Sequence, residues 1–311
     1  MRNTGAFLRM NRRASLGLSV ESRSRYTCAG LFLPASNGSA LDTYALGCFW
    51  KRWRTALLVL LLVAPGPAVA QVIEPSPDPY RFIEWTGGDA KDLGRKVLST
   101  HSLYAAAGMG GVLVLLSAQD PELTKGAVDL AQGTDAWVLR TLNEVGNVRA
   151  VRPMALLLFL GSLTSRSRRF QDAAFTSLEA ILFSNLITDA LKSLTGRARP
   201  FQEQGPTRFR PLSGNTSFPS GHATTVFAFT TPWLLYYGNV PTTLLFILGG
   251  GTAFTRMADN FHWFTDVLVG SAVGFTTGYW LTRRHQRESP RIMATPVVGA
   301  GQVGFSMRVT W

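Results

Sequence analysis

After residue 100 the chain carries six apolar stretches, at about 102–117, 153–164, 173–191, 221–237, 242–254 and 263–282. Most are helix-compatible, being rich in Ala, Leu, Gly, Phe and Thr. Several fall short of the ~20 apolar residues that a helix needs to cross a bilayer. Residues 119–150 read differently: Val128, Leu130, Trp137, Leu139, Leu142 and Val145 are set among charges, as in an amphipathic segment lying outside a membrane. At the C-terminus, Val303, Phe305, Met307, Val309 and Trp311 alternate with polar or small residues. That is a strand pattern, and it predicts a short hairpin with 294–298 across Gly299-Ala300-Gly301. The pattern therefore predicts a run of mostly helix-compatible apolar stretches followed by a short C-terminal β-hairpin.

The first hundred residues lack that periodicity. Residues 1–50 are polar and rich in Ser and Arg, as in a disordered leader or an extension from a mis-assigned start. Residues 51–70 read as a secretory signal. Lys51, Arg52 and Arg54 form its basic region, Thr55–Ala64 its apolar core, and Ala68-Val69-Ala70 a small-x-small cleavage site; an uncleaved anchor is the alternative. Residues 71–97 look like a lead-in segment, 98–288 the main domain and 289–311 a tail. The formal net charge is +12, but residues 1–54 hold +7 of it and the rest only +5. No basic stripe with interleaved aromatics appears, which argues against nucleic acid as a partner. Both cysteines, Cys28 and Cys48, precede residue 50, so the body has neither a disulfide nor a cysteine metal site.

Three motifs change this picture. Lys192 to Pro200 reads K-x6-R-P, with Arg199 as its second cation; Pro219-Ser220-Gly221-His222 follows; Arg256, His262 and Asp266 make R-x5-H-x3-D. Lys192, Arg199 and Arg256 can neutralise a phosphate, and arginine's planar fork suits paired phosphate oxygens. Pro219 suits a helix start and Ser220 a cap. The N–H groups of Ser220, Gly221 and His222 are then expected to face the anion, aided by the helix dipole. His262 and Asp266, four apart, share a face on a helix. The carboxylate is expected to hold one ring nitrogen and leave the other as a nucleophile, with His222 as the acid for the leaving group. Taken singly, the motifs have plainer readings: a basic helix end, a turn, a structural hydrogen bond. Their ordered combination is far more specific. No Asp-x-Asp or His-Glu-x-x-His cluster is present, so no metal and no cofactor are expected, although phosphate or vanadate can occupy such a pocket. His101 and His285 have no comparable neighbours and read as surface or helix-end residues.

These motifs resemble the type 2 phosphatidic acid phosphatase family, in the superfamily shared with bacterial class A acid phosphatases and vanadium haloperoxidases. The resemblance covers about residues 98–285. It implies an all-α bundle, His262 as nucleophile, His222 as general acid and Asp266 as the residue orienting the nucleophile. It also implies phosphate binding by Lys192, Arg199, Arg256, Ser220 and Gly221. One departure is Thr255 where the third motif usually has serine; threonine keeps the hydroxyl. The expected function is metal-independent hydrolysis of a lipid phosphomonoester or pyrophosphate through phosphohistidine. Alternatives are a soluble periplasmic acid phosphatase, a vanadium haloperoxidase and a lipid phosphotransferase. Arg166, Arg168 and Arg169, and then Arg283, Arg284 and Arg287, lie on the ends opposite the motifs. The resemblance implies a multi-span bundle in a bacterial inner membrane, and the positive-inside rule then makes the site face the periplasm.

Overall fold

The computed structural model describes residues 77–288, 291–299 and 302–310. The signal or anchor and the leader expected in residues 1–70 lie outside the described residues. The described body is all-α. Its helices are α1 (Arg81–Val97), α2 (Thr100–Ser117), α3 (Asp120–Gln132), α4 (Ala136–Val145) and α5 (Val148–Ser162), followed by α6 (Arg168–Thr195), α7 (Gly221–Tyr237), α8 (Val240–Ala258) and α9 (Phe264–Glu288). Helix α1 starts inside the segment read as a lead-in, and it buries Arg81, Trp85 and Asp89. The amphipathic segment 119–150 is mostly two helices, α3 and α4, both packed on α8. Beyond α9, β1 (Arg291–Gly299) pairs antiparallel with β2 (Gln302–Thr310), Arg291 opposite Thr310 and Gly299 opposite Gln302.

Local sequence sets the helix ends. Ser167 caps α6, its hydroxyl accepting from Phe170 N at 3.3 Å. Gly196 ends the same helix in the left-handed region at φ 53°, where glycine carries no Cβ penalty. The 28 residues of α6 give a rod of about 42 Å. It is the one helix among the described residues long and apolar enough to cross a membrane by length and composition. At the start of α8, Asn239 and Thr242 cap each other reciprocally.

Helix α7 lies at the centre, packed against α6, α8 and α9. Its Phe229 and Trp233 meet Ala173, Ala174 and Ile181 of α6, Leu158 of α5, Leu245 of α8 and Leu281 of α9 in one apolar cluster. Truncating a buried aromatic such as Trp233 to alanine costs about 3–5 kcal/mol. The threonines of α7 are buried without orphaned hydroxyls, because Thr224, Thr230 and Thr231 donate to carbonyls one turn back and Thr225 donates to Asn185. Helices α7 and α9 run almost backbone to backbone. A Cβ on Gly270 would come within 2.4 Å of Ser220 O, and one on Gly274 within 2.2 Å of Thr224 O. That close approach locks the first turn of α7 to the first turns of α9, where two of the three motifs lie.

Candidate active site

The motifs converge at one end of the bundle. The first occupies the last turn of α6 and the loop after it, the second the N-terminus of α7, and the third the last turn of α8 and the first of α9. Lys192 reaches the start of α7, where a Cβ on Gly221 would lie 2.9 Å from its Nζ. Glycine at 221 therefore leaves room for the ammonium beside the helix N-terminus. Arg199 and Arg256 both lie over the Phe261 ring, at 6.0 and 4.5 Å from its centroid. Arg199 donates to Thr216 Oγ1 at 3.1 Å and Arg256 to Asn143 Oδ1 at 2.9 Å. The Nε of Arg256 is buried without a partner.

His262 is buried, and its Nδ1 lies 2.7 Å from the carbonyl oxygen of Ser217. A carbonyl only accepts, so Nδ1 carries a proton, and in the neutral ring Nε2 keeps its lone pair. This corrects one expectation. Asp266 Oδ2 is 3.7 Å from Nδ1, beyond hydrogen-bond range, so the carboxylate does not hold the ring directly. Asp266 instead accepts from Ser217 Oγ at 2.5 Å and from Trp263 N at 2.9 Å, fixing the segments on both sides of the ring. Burial alone would raise the pKa of Asp266. The neighbouring His262, the Arg197 guanidinium and the Ser217 hydroxyl outweigh it and hold the carboxyl below its ordinary value. Burial pushes the pKa of His262 down, against the opposing pull of Asp266.

A second correction concerns the turn amides. Ser220 N donates to Asp266 O at 2.9 Å and is not free for an anion. The N–H groups of Gly221 and His222, at the start of α7, have no partner within the helix and carry the positive end of its dipole. Ser220 caps through no side-chain bond; its hydroxyl is buried and unpaired. His222 stands in the same field. Burial, then the charges of Arg256, His262, Lys192 and Arg199, push its pKa down to about 3.

Four residues that the motif analysis did not single out complete the site. Arg197, 1% exposed, bridges two carboxylates, with NH2 2.5 Å from Asp120 Oδ2 and NH1 2.6 Å from Asp266 Oδ1. It also donates to Thr265 Oγ1 and to Pro206 O, each at 2.7 Å. Asp120, at the start of α3, accepts from Thr265 N at 2.8 Å. Ser217 holds His262 through its carbonyl and Asp266 through its hydroxyl, and Asn143 of α4 holds Arg256. Arg197 lies inside the first motif, and that was the available signal. Asp120 and Asn143 come from the segment 119–150, which the sequence marks only as amphipathic.

Residues 173–290 match the PAP2 superfamily. A lipid A 1-phosphatase of Rhizobium johnstonii is 36% identical over 99 residues, covering 30% of this chain and 40% of the relative. A PA-phosphatase related-family protein of Dictyostelium discoideum is 29% identical over 148 residues, covering 42% of this chain and 54% of the relative. The chain thus spans about half the length of these curated relatives. The crystal structure of Aquifex aeolicus LpxE superposes with a TM-score of 0.40 at 19% identity, over 53% of this chain and 94% of that one.

Proposed function

We propose that this chain, whose residues 173–290 belong to the PAP2 superfamily, is a phosphatase that releases phosphate from a lipid phosphomonoester or pyrophosphate through a phosphohistidine on His262. The observation that carries this reading is the 2.7 Å contact of His262 Nδ1 with the Ser217 carbonyl, which leaves Nε2 of the neutral ring as the nucleophile, in a pocket with three cations and a helix N-terminus. In the first step Nε2 attacks phosphorus, and the bond to the leaving oxygen breaks. Lys192, Arg199, Arg256 and the first N–H groups of α7 hold the phosphoryl oxygens. His222 gives a proton to the leaving oxygen. In the second step water attacks the phosphohistidine, His222 takes its proton, and phosphate leaves with His262 restored. No step is assigned to a metal. Asp266 acts as a positioning residue, fixing Ser217 and Trp263 around the nucleophile and favouring the imidazolium that forms.

A bound phosphate dianion offsets the positive field on His222. Its pKa then rises from the unliganded value toward the range where it can act as an acid, so the acid is charged only when substrate is present.

The lipid character of the substrate rests on two supports. The Rhizobium relative bears the name lipid A 1-phosphatase. The outer faces of several helices are apolar, with Leu157, Leu160, Leu182, Leu186, Ile247 and Phe275 exposed, more large apolar surface than scattered single residues give. We place the protein at a bacterial inner membrane with the motif end outward, since Arg166, Arg283 and Arg287 lie at the other end.

The test is phosphate release by purified protein in detergent, offered lipid A 1-phosphate, phosphatidate, a polyprenyl pyrophosphate and a soluble aryl phosphate. Turnover on at least one lipid phosphate is expected. An alkaline quench should trap labelled phosphate on the protein, and His262→Ala should remove both label and turnover while keeping the fold. His222→Ala should slow turnover about 10²–10⁴-fold. Near-normal turnover by His262→Ala, or no release from any lipid phosphate, overturns the proposal.

A further inference from the structure

At the opposite end of the bundle a second cluster of titratable side chains is unused by this chemistry. Glu179 precedes Lys192 by 13 residues on α6, about 20 Å along the helix. His285 follows Asp266 by 19 residues on α9, about 28 Å along it. With Asp89 of α1 they bring three ligand-type side chains together, all 0% exposed. One oxygen from each carboxylate and one ring nitrogen of His285 lie within 4.8 Å of one another. His285 is at a helix end, as expected, but it is buried rather than on the surface.

Glu179 is the decisive residue. Both of its oxygens are buried without a hydrogen-bond partner, and Oε2 faces His285 Nε2 at 3.6 Å. Thr86 stands beside it, but that hydroxyl donates its one hydrogen to Phe82 O at 2.8 Å. Arg284, the nearest fixed cation, is engaged by Asp89, Asp92 and Glu288. A carboxylate sealed from water with no donor requires either a proton or a cation.

The surroundings can supply a cation site. His285 Nε2 is 2.7 Å from Asp89 Oδ2, a separation that either an N–H···O hydrogen bond or one cation bound by both atoms satisfies. Its other nitrogen, Nδ1, is 2.7 Å from Thr176 Oγ1. When Nδ1–H donates to that hydroxyl, Nε2 turns its lone pair toward both carboxylates, as ligating histidines do. Trp85 stacks on the ring at 3.7 Å and 10°, fixing its plane. Thr176, His285 and Asp89 also line up as hydroxyl, imidazole and carboxylate. Their complete burial shuts out any substrate, which removes a second hydrolytic centre as the explanation.

We propose that Asp89, Glu179 and His285 bind one divalent transition ion that ties α1, α6 and α9 together at the end remote from the phosphate pocket. One imidazole and two carboxylates suit Zn²⁺ or Mn²⁺ better than Mg²⁺, which favours an all-oxygen shell with several waters. The ion has a structural role and takes no part in phosphate release. With every ligand buried, it is taken up as the chain folds and exchanges slowly.

The test measures metal content and thermal stability. Wild type and Glu179→Gln are expressed in media supplemented with Zn²⁺ or Mn²⁺, purified identically, incubated for a day with each ion and dialysed. Mass spectrometry of the metal should give one ion per wild-type chain and a loss of at least tenfold in the variant. Stripping wild type with a chelator at raised temperature should lower Tm, and returning the ion at a hundredfold its Kd should restore about 5–10 °C. Glu179→Gln should show no such response. Asp89→Asn, which also keeps side-chain volume, should repeat the loss and guards against a variant that fails to fold. Equal metal content in wild type and variants, or wild type without bound ion under every condition, would mean that Glu179 holds a proton and overturns the proposal. Phosphate release is not a readout, so failure here leaves the phosphatase reading untouched.

Discussion

Removing Arg197 should destabilise the protein more than any other single change in the phosphate pocket. In Arg197→Met the side-chain volume is roughly kept, but Asp120 and Asp266, both 0% exposed, lose the cation that lies 2.5 and 2.6 Å from them. Breaking a buried ion pair from one side costs about 3–5 kcal/mol, because the remaining charge stays desolvated. The described body runs from residue 77 to residue 288. For a domain of that size 1 kcal/mol moves Tm by about 2–4 °C, so the expected fall is about 6–20 °C. Scanning fluorimetry in detergent measures it. The double variant Asp120→Asn, Arg197→Met separates charge from packing, because once Asp120 is neutral the loss of Arg197 should cost less. The coupling should fall within about 0.5–3 kcal/mol. Turnover at low temperature should fall less than in His262→Ala, since Ser217 and Trp263 still hold Asp266. A Tm within 2 °C of wild type for Arg197→Met, against the 6–20 °C worked out above, would refute a buried Asp120–Arg197–Asp266 network.

The sign of the His222 shift sets a second expectation. Its folded pKa of about 3 lies below the ordinary 6.5, so the unliganded ring stays neutral through pH 4–7. Stability should fall as pH drops from 6.5 toward 3, because the unfolded chain binds that proton first. Ring nitrogen shifts in labelled protein should show no midpoint near 6.5 without ligand, and an upward-shifted one with vanadate; titration of the free protein near 6.5 would sink the electrostatic account. Membrane orientation is tested with Cys28 and Cys48 replaced by Ser. A cysteine at exposed Gln204 should react with an impermeant maleimide in intact spheroplasts and one at exposed Thr164 only after lysis; the reverse pattern would invert the orientation.

The sequence revealed the reacting groups more readily than what holds them. His222, His262 and the three cations sit at fixed spacings, because a phosphate pocket demands particular donors at the ends of particular helices. The six apolar stretches correspond to α2, α5, α6, α7, α8 and α9; the last five pack into the bundle, whereas α2 leaves Tyr104, Val112, Val114 and Leu115 exposed. The support was harder to see. Asp266 was legible as the partner of His262, but its true contacts run to Ser217 Oγ, Trp263 N and Arg197. Spacing along a helix cannot foretell that the ring would turn to a backbone carbonyl from another segment. Asp120 lies 146 residues before Asp266 in the chain. It reads locally as an acid at a helix start, a placement that the helix dipole alone explains. His285 looked idle because its partners, Asp89 and Glu179, are brought to it only by the packing of α1 and α6 against α9. The same packing explains why the catalytic half could be read at all. Gly270 and Gly274 let α9 close onto α7 at backbone distance, so the second and third motifs meet through main-chain contacts such as Ser220 N to Asp266 O. Where backbone meets backbone, motif spacing survives into three dimensions. Where long side chains bridge helices, as Arg197 and Arg256 do, the partner can come from anywhere in the chain.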